Sequence, residues 1–144
     1  MKVNRIAGLV AGILLVPAAL ADGKTEAEYR QAVMKSIGGH MTAIVTIMKN
    51  QVHTGDLAMH GRGIATLSEV APNVFPEGSD VAKSKSLPAV WEDRAGFDEA
   101  MNRFTGAAKD FAVAAESGDM SQIGPALKGL GGSCKGCHDD YKAE

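Results

Sequence analysis

Cysteine is scarce in this chain of 144 residues, which carries only two, and no second Cys or His pair stands at zinc-ligand spacing. A structural zinc site needs four ligands, so that class is excluded. No segment alternates apolar and polar residues as a half-buried strand does, and there is no internal repeat or low-complexity tract. A basic excess is missing too: the formal net charge is −2, which argues against a nucleic-acid partner. Beyond residue 21, no uncharged run reaches the roughly 20 residues of a membrane span. These absences leave one small, all-helical domain.

What is present begins with a targeting segment. Lys2 and Arg5 form a short positive region, and Ile6 to Leu20 runs without charge. Ala19-Leu20-Ala21 then puts small residues where a signal peptidase reads them, so a secretory signal cut after Ala21 is predicted. A retained membrane anchor is the competing reading, and the run is short for one. Residues 1–21 are therefore read as a cleaved signal peptide and 22–144 as one mature domain in the periplasm, with no membrane span after processing. Taking Lys2 and Arg5 from the 15 basic side chains leaves 13 against 17 acidic ones, a formal charge of −4. A mildly acidic surface leans towards a basic or neutral partner.

Two cysteines in an exported chain ordinarily form a disulfide. Here Cys134-Lys135-Gly136-Cys137 is followed at once by His138. A histidine in that position is the mark of c-type haem attachment. Each thiol adds across one haem vinyl group, and the adjacent imidazole is thereby placed under the iron. A thioredoxin-like redox pair would need a βαβ setting, which the chain does not offer. Cys134 and Cys137 are thus read as the covalent haem-binding residues, His138 as an axial iron ligand, and the cofactor as one haem c.

Periodicity divides the mature chain into four helices. Thr25-Glu26-Ala27-Glu28 has the form of a capping box. From there to about Gln51, the residues Met34, Ile37, Met41, Ile44 and Met48 recur at helical spacing, as the inward seam of a bundle helix does. Thr54-Gly55-Asp56 makes a turn, and a second helix runs to about Val70 with Leu57, His60, Ile64 and Leu67 in register. Residues 71–87 contain Pro72 and Pro76 and form the one long loop, a functional suspect by its length. Pro88 suits the first turn of a third helix, along which Phe97, Met101, Phe104, Ala108, Phe111 and Ala115 keep a heptad up to Ser117-Gly118-Asp119. The last stripe is Ile123, Leu127, Leu130, Cys134, Cys137 and Tyr141, with its first turn expected at Pro125.

Both cysteines and His138 share one face of that helix, so the haem is expected inside the bundle and not on a surface loop. Gly129, Gly131, Gly132 and Gly136 each weaken the helix by about 1 kcal/mol relative to alanine. Close approach of the macrocycle and a neighbouring helix is one reason for them, and simple tolerance by an anchored helix is the other. Short first and last links imply antiparallel neighbours. The expected fold is all-α, an antiparallel up-down-up-down four-helix bundle enclosing one covalently bound haem. The starts of helices one and three and the ends of two and four then share the haem end.

Three elements carry a family resemblance: Tyr29-Arg30-Gln31 with Met34 close behind, Pro88 to Phe97 around Trp91, and Cys134 to Tyr141 near the C-terminus. Together they span the mature chain, which resembles the cytochrome c′ family, including its low-spin, methionine-ligated relatives. The resemblance implies a periplasmic four-helix bundle that transfers electrons or binds nitric oxide and carbon monoxide, and a homodimer through the first two helices. By position, Arg30 matches the arginine that family members aim at a haem propionate; a solvated surface charge is the alternative. Family members often carry an arginine four residues after the proximal histidine. Lys142 stands there in this chain, and lysine cannot reproduce a planar fork.

The second face of the iron needs an occupant or stays open. His40 lies roughly 9 Å further along its helix than Met34. His53 sits at the far turn, and His60 falls towards the end away from the haem, where a satisfied or partly exposed core histidine is expected. Met34 has the right height and inward direction and is the expected sixth ligand on the distal side. As a mere core filler it would leave the iron five-coordinate. The function read from this is one-electron transfer by a periplasmic mono-haem c-type cytochrome to a redox partner protein. The alternative is a five-coordinate haem protein that binds or scavenges nitric oxide or carbon monoxide. No distal His–Arg pair supports peroxidase chemistry, so an enzyme is not expected. Phe75 is expected beside the haem, with Lys83 and Lys85 in solvent, where they offer an acidic partner a salt-sensitive contact.

Overall fold

The computed structural model describes residues 22–81 and 84–144; the predicted signal segment 1–21 and Lys83 lie outside the described residues. Four long helices and one short one follow in order: α1 (Gly23–Asn50), α2 (Leu57–Val70), α3 (Ala89–Glu92), α4 (Arg94–Ser117) and α5 (Met120–Tyr141). α1 packs on α2, α2 on α4, and α4 on α5, which gives the expected antiparallel four-helix bundle. α1 and α5 do not pack together to a comparable extent, and an opening lies between them. Among the described residues no helix is long and apolar enough to cross a membrane.

The α4 heptad is buried at each of its six positions. Phe97 and Phe111 are sealed from solvent and Phe104 is nearly so. Each such ring contributes about 1.5–3 kcal/mol by leaving water. α2 meets α4 through Gly61, where a Cβ would stand only 3.1 Å from the Ala112 Cα. Gly118 ends α4 at φ 69°, a left-handed C-cap that suits glycine.

Four local expectations are corrected. α1 starts at Gly23, not at a Thr25 cap: the Asp22 carboxylate accepts from the Lys24 N–H and supplies the first turn's missing partner. Its buried line is Arg30, Val33, Ile37, Ile44 and Ile47, so Met34, Met41 and Met48 flank the core, half-buried against it. Val33 and Ile47 extend the apolar stripe to one side, and a wide stripe lets the helix turn its methionines off the centre line. The third helix is broken at Asp93, whose φ of −113° and ψ of 60° separate α3 from α4 while its carboxylate caps Gly96. α5 begins at Met120 with Asp119 as its cap, which leaves Pro125 inside the helix. Only one backbone bond, to the Ser121 carbonyl, is lost there, in a stretch where Ser121, Gln122 and Pro125 are all exposed.

The α5 glycines are not explained by a neighbouring helix. A Cβ at Gly129, Gly132 or Gly136 would meet nothing within 4 Å, and at Gly131 only the Met41 methyl, at 3.7 Å.

Candidate haem-binding site

The opening between α1 and α5 is a cavity of about 580 Å³, within the ~300–1,000 Å³ of ligand sites. Four elements of sequence build it. α1 contributes Arg30, Met34, Ile37 and Met41; the loop after α2 contributes Phe75 and Ser84 to Ser86; α4 contributes Phe97, Met101 and Phe104; α5 contributes Cys134, Cys137, His138 and Tyr141. Every residue expected at the haem therefore faces one space, at the bundle end where α1 and α4 start and α5 finishes. His40, His53 and His60 are not among the lining residues.

The chemistry of the α5 wall fits haem attachment. Cys134 and Cys137 are both free, so no disulfide competes. Burial pushes both thiols up, Cys137 also through its neighbour Cys134. That is the reverse of the lowered thiol of a redox-active Cys-x-x-Cys pair. Burial first and Lys142 second pull the His138 imidazole below its usual value, which favours the neutral ring that ligates metals.

Charge is distributed just as selectively. Arg30, Lys35, Lys85 and Lys142 line the cavity, and among the described residues no carboxylate does, although the chain carries more acidic than basic side chains. Such a lining suits an anionic, otherwise apolar guest, which is what a haem with two propionates is.

Arg30 is 3% exposed, and burial lowers its pKa from the ordinary value. One terminal nitrogen donates to the Val74 carbonyl (3.0 Å) and Ser79 Oγ (2.8 Å), the other to the Ser79 carbonyl and Ser84 Oγ (2.8 Å each). Its guanidinium lies 5.0 Å from the Phe75 ring centre and 5.7 Å from that of Trp91. The side chain thus pins the long loop over the cavity. Among the described residues its Nε has no hydrogen-bond partner and no carboxylate pairs with it.

Several contacts at the site were not found by sequence reasoning. Tyr141 donates to Asp93 (2.8 Å), and that bond pushes its pKa up to about 12. Gly96 makes room for this tie, since a Cβ there would stand 2.6 Å from the Tyr141 hydroxyl. Phe97 packs edge-on to both Phe75 (4.8 Å) and Tyr141 (5.3 Å), forming an aromatic floor. The loop's end pairs with the C-terminus: the Leu87 N–H donates to the Tyr141 carbonyl and the Ala143 N–H to that of Lys85. Tyr141 on the α5 stripe, Phe97 on the α4 heptad and Phe75 beside the haem were signalled in advance; the ties of Tyr141 to Asp93 and of the loop to the C-terminus were not. Phe75 is buried in the cavity wall and Lys85 is exposed at its rim, as expected.

Residues 25–142 match the model of the family described as cytochrome C′. The chain belongs to the cytochrome c′ family. A cytochrome c′ of Rhodospirillum rubrum is 36% identical over 141 residues, 96% of each chain. A cytochrome c-556 of Agrobacterium fabrum is 34% identical over 146 residues, 99% of this chain and 97% of that one. Among solved structures, cytochrome c prime from Shewanella frigidimarina superposes with a TM-score of 0.82 at 32% identity, covering 86% of this chain and 98% of that one. Variants of cytochrome c prime from Alcaligenes xylosoxidans, with bound nitric oxide in one structure and carbon monoxide in another, superpose at 0.79 and 25% identity, with the same coverage. Cytochromes c′ carry one covalent haem c with its iron, and that is the cofactor of this chain.

Proposed function

We propose that this cytochrome c′ relative is a periplasmic electron carrier whose haem is ligated on both faces, by His138 and by the Met34 sulfur. The haem supplies a one-electron iron couple. In this reading each of Cys134 and Cys137 forms one thioether, its sulfur joining a vinyl carbon and its hydrogen passing to the other. His138 holds the proximal side, and Arg30 offers its free Nε to a propionate, which would offset a buried unpaired charge. Phe97, Met101 and Phe104 keep the pocket apolar, which together with thioether ligation raises the reduction potential.

One observation carries the choice of Met34: the α1 wall offers the cavity the thioethers of Met34 and Met41 and no imidazole, because His40 turns away to His60. Export rests on the pattern of residues 1–21. The lysines at the rim, Lys35, Lys85 and Lys142, are exposed and favour an acidic patch on the redox partner. Pairing with a second copy through α1 and α2, and the absence of catalytic turnover, belong to the same reading.

A second reading is favoured by the relatives with bound gases: a five-coordinate iron behind Met34, open to nitric oxide or carbon monoxide. Optical and magnetic spectra of wild type and Met34→Ala, with and without carbon monoxide, separate the two. Methionine ligation predicts a low-spin wild type that resists carbon monoxide, and a high-spin, gas-binding variant. A high-spin wild type unchanged by the substitution would replace electron transfer with gas binding.

A further inference from the structure

Two histidines outside the haem site form a pair that neither the cofactor nor the apolar packing uses. His40 of α1 and His60 of α2 approach with their Nδ1 atoms 2.9 Å apart, ring centres 5.2 Å apart and planes at 68°. Both are half-buried, and one Nδ1 donates to the other according to which ring carries its proton there. Gly63 permits the approach: a Cβ there would stand 2.6 Å from the Cε1 and Nε2 of His40.

Two imidazole nitrogens on one metal at about 2.0–2.1 Å stand roughly 2.9–3.3 Å apart, for angles from square-planar to tetrahedral. The Nδ1 atoms already have that separation; their hydrogen bond aligns the rings along the line between the two nitrogens, and both rings must turn about their Cβ–Cγ bonds for the two lone pairs to meet one ion. The two halves of the pair come from helices packed against each other, so little ordering is needed for both to bind at once.

We propose that His40 and His60 form a chelating site for a late first-row divalent cation, Zn²⁺, Cu²⁺ or Ni²⁺, that cross-links α1 to α2. Imidazole suits these three ions. On binding, the proton between the rings moves to Nε2 of the ring that held it, and both Nδ1 lone pairs go to the metal. Among the described residues no third His, Cys, Asp or Glu joins them, so water completes the coordination and the ion stays exchangeable. The site is separate from the haem, since neither histidine lines the cavity.

Calorimetric titration of the haem-loaded protein with zinc chloride tests this. The expected result is one zinc per chain, lost in His40→Gln and in His60→Gln but kept in His53→Gln. Zinc should also raise the melting temperature of wild type and of neither pair variant. Unchanged helix content and haem spectrum certify the fold of the variants. Footprinting of the wild type needs no variant at all. Zinc should slow diethyl pyrocarbonate modification of His40 and His60 roughly tenfold at free zinc about ten times Kd, and leave His53 unaffected. Absence of saturable binding, equal protection of His53, or one zinc retained in both pair variants would overturn the site.

Discussion

The bundle is closed between α2 and α4 and open between α1 and α5, although all four helices are amphipathic. On the closed side Gly61 lets α2 sit almost on the α4 backbone, with Ala112, Ala115 and the sealed Phe111 around it. On the open side the facing residues are Met34, Met41, Cys134 and Cys137, all half-buried. Small residues let two helices meet, while long or reactive side chains line space for a third body. Packing is thus complete within the polypeptide on one side and shaped around the cofactor on the other.

The most disruptive way to test that contrast is Cys134→Ser with Cys137→Ser. With no thioether to retain the haem, a chain this small has too little core on its open side. A loosely packed product without a cooperative thermal transition is expected. Melting as sharp as wild type, at equal helix content by circular dichroism, would show that the open side packs without the macrocycle.

Phe111→Ala attacks the closed side instead. It should cost about 3–5 kcal/mol in denaturant unfolding, because the surrounding helices relax only partly around the lost ring. The haem spectrum should hardly change, since Phe111 does not line the cavity.

Tyr141 ties the two sides together at the cavity's floor. Its folded pKa, about 12, lies above the ordinary 10 because it donates to Asp93. Its contribution is therefore fully present below pH 10 and is lost as pH rises through about 12. Tyr141→Phe should lower the melting temperature at neutral pH and flatten the alkaline fall between those values relative to wild type.

The smallest stability change, within about 0.5 kcal/mol, is expected of exposed Lys35→Glu, Lys85→Glu and Lys142→Glu together. Their effect belongs to kinetics. Electron exchange with an acidic partner should slow and lose its salt dependence, as stopped-flow mixing at several ionic strengths would reveal.

Legibility from sequence followed the range of the interaction. The α4 heptad, the turn at Thr54 to Asp56 and the haem motif are local patterns, and each stands where it was read. The caps were misread by a few residues because Asp22 and Asp119 compete successfully with Thr25 and Pro125 for the helix starts. Arg30 was legible as a residue of the haem end. Its hold on Ser79 and Ser84 was not, since those partners lie 49 and 54 residues away in a loop without periodicity.

By itself the sequence determined the four long helices, their antiparallel order and the one helical face that carries Cys134, Cys137 and His138, because spacing along a helix is a local property. Which flank of α1 looks into the cavity, that His40 turns to His60 and not to the haem, and that the break at Asp93 reaches Tyr141 were decided only in three dimensions. Each of those depends on the rotation and approach of helices distant in the chain, which the close packing of side chains sets and no single segment encodes.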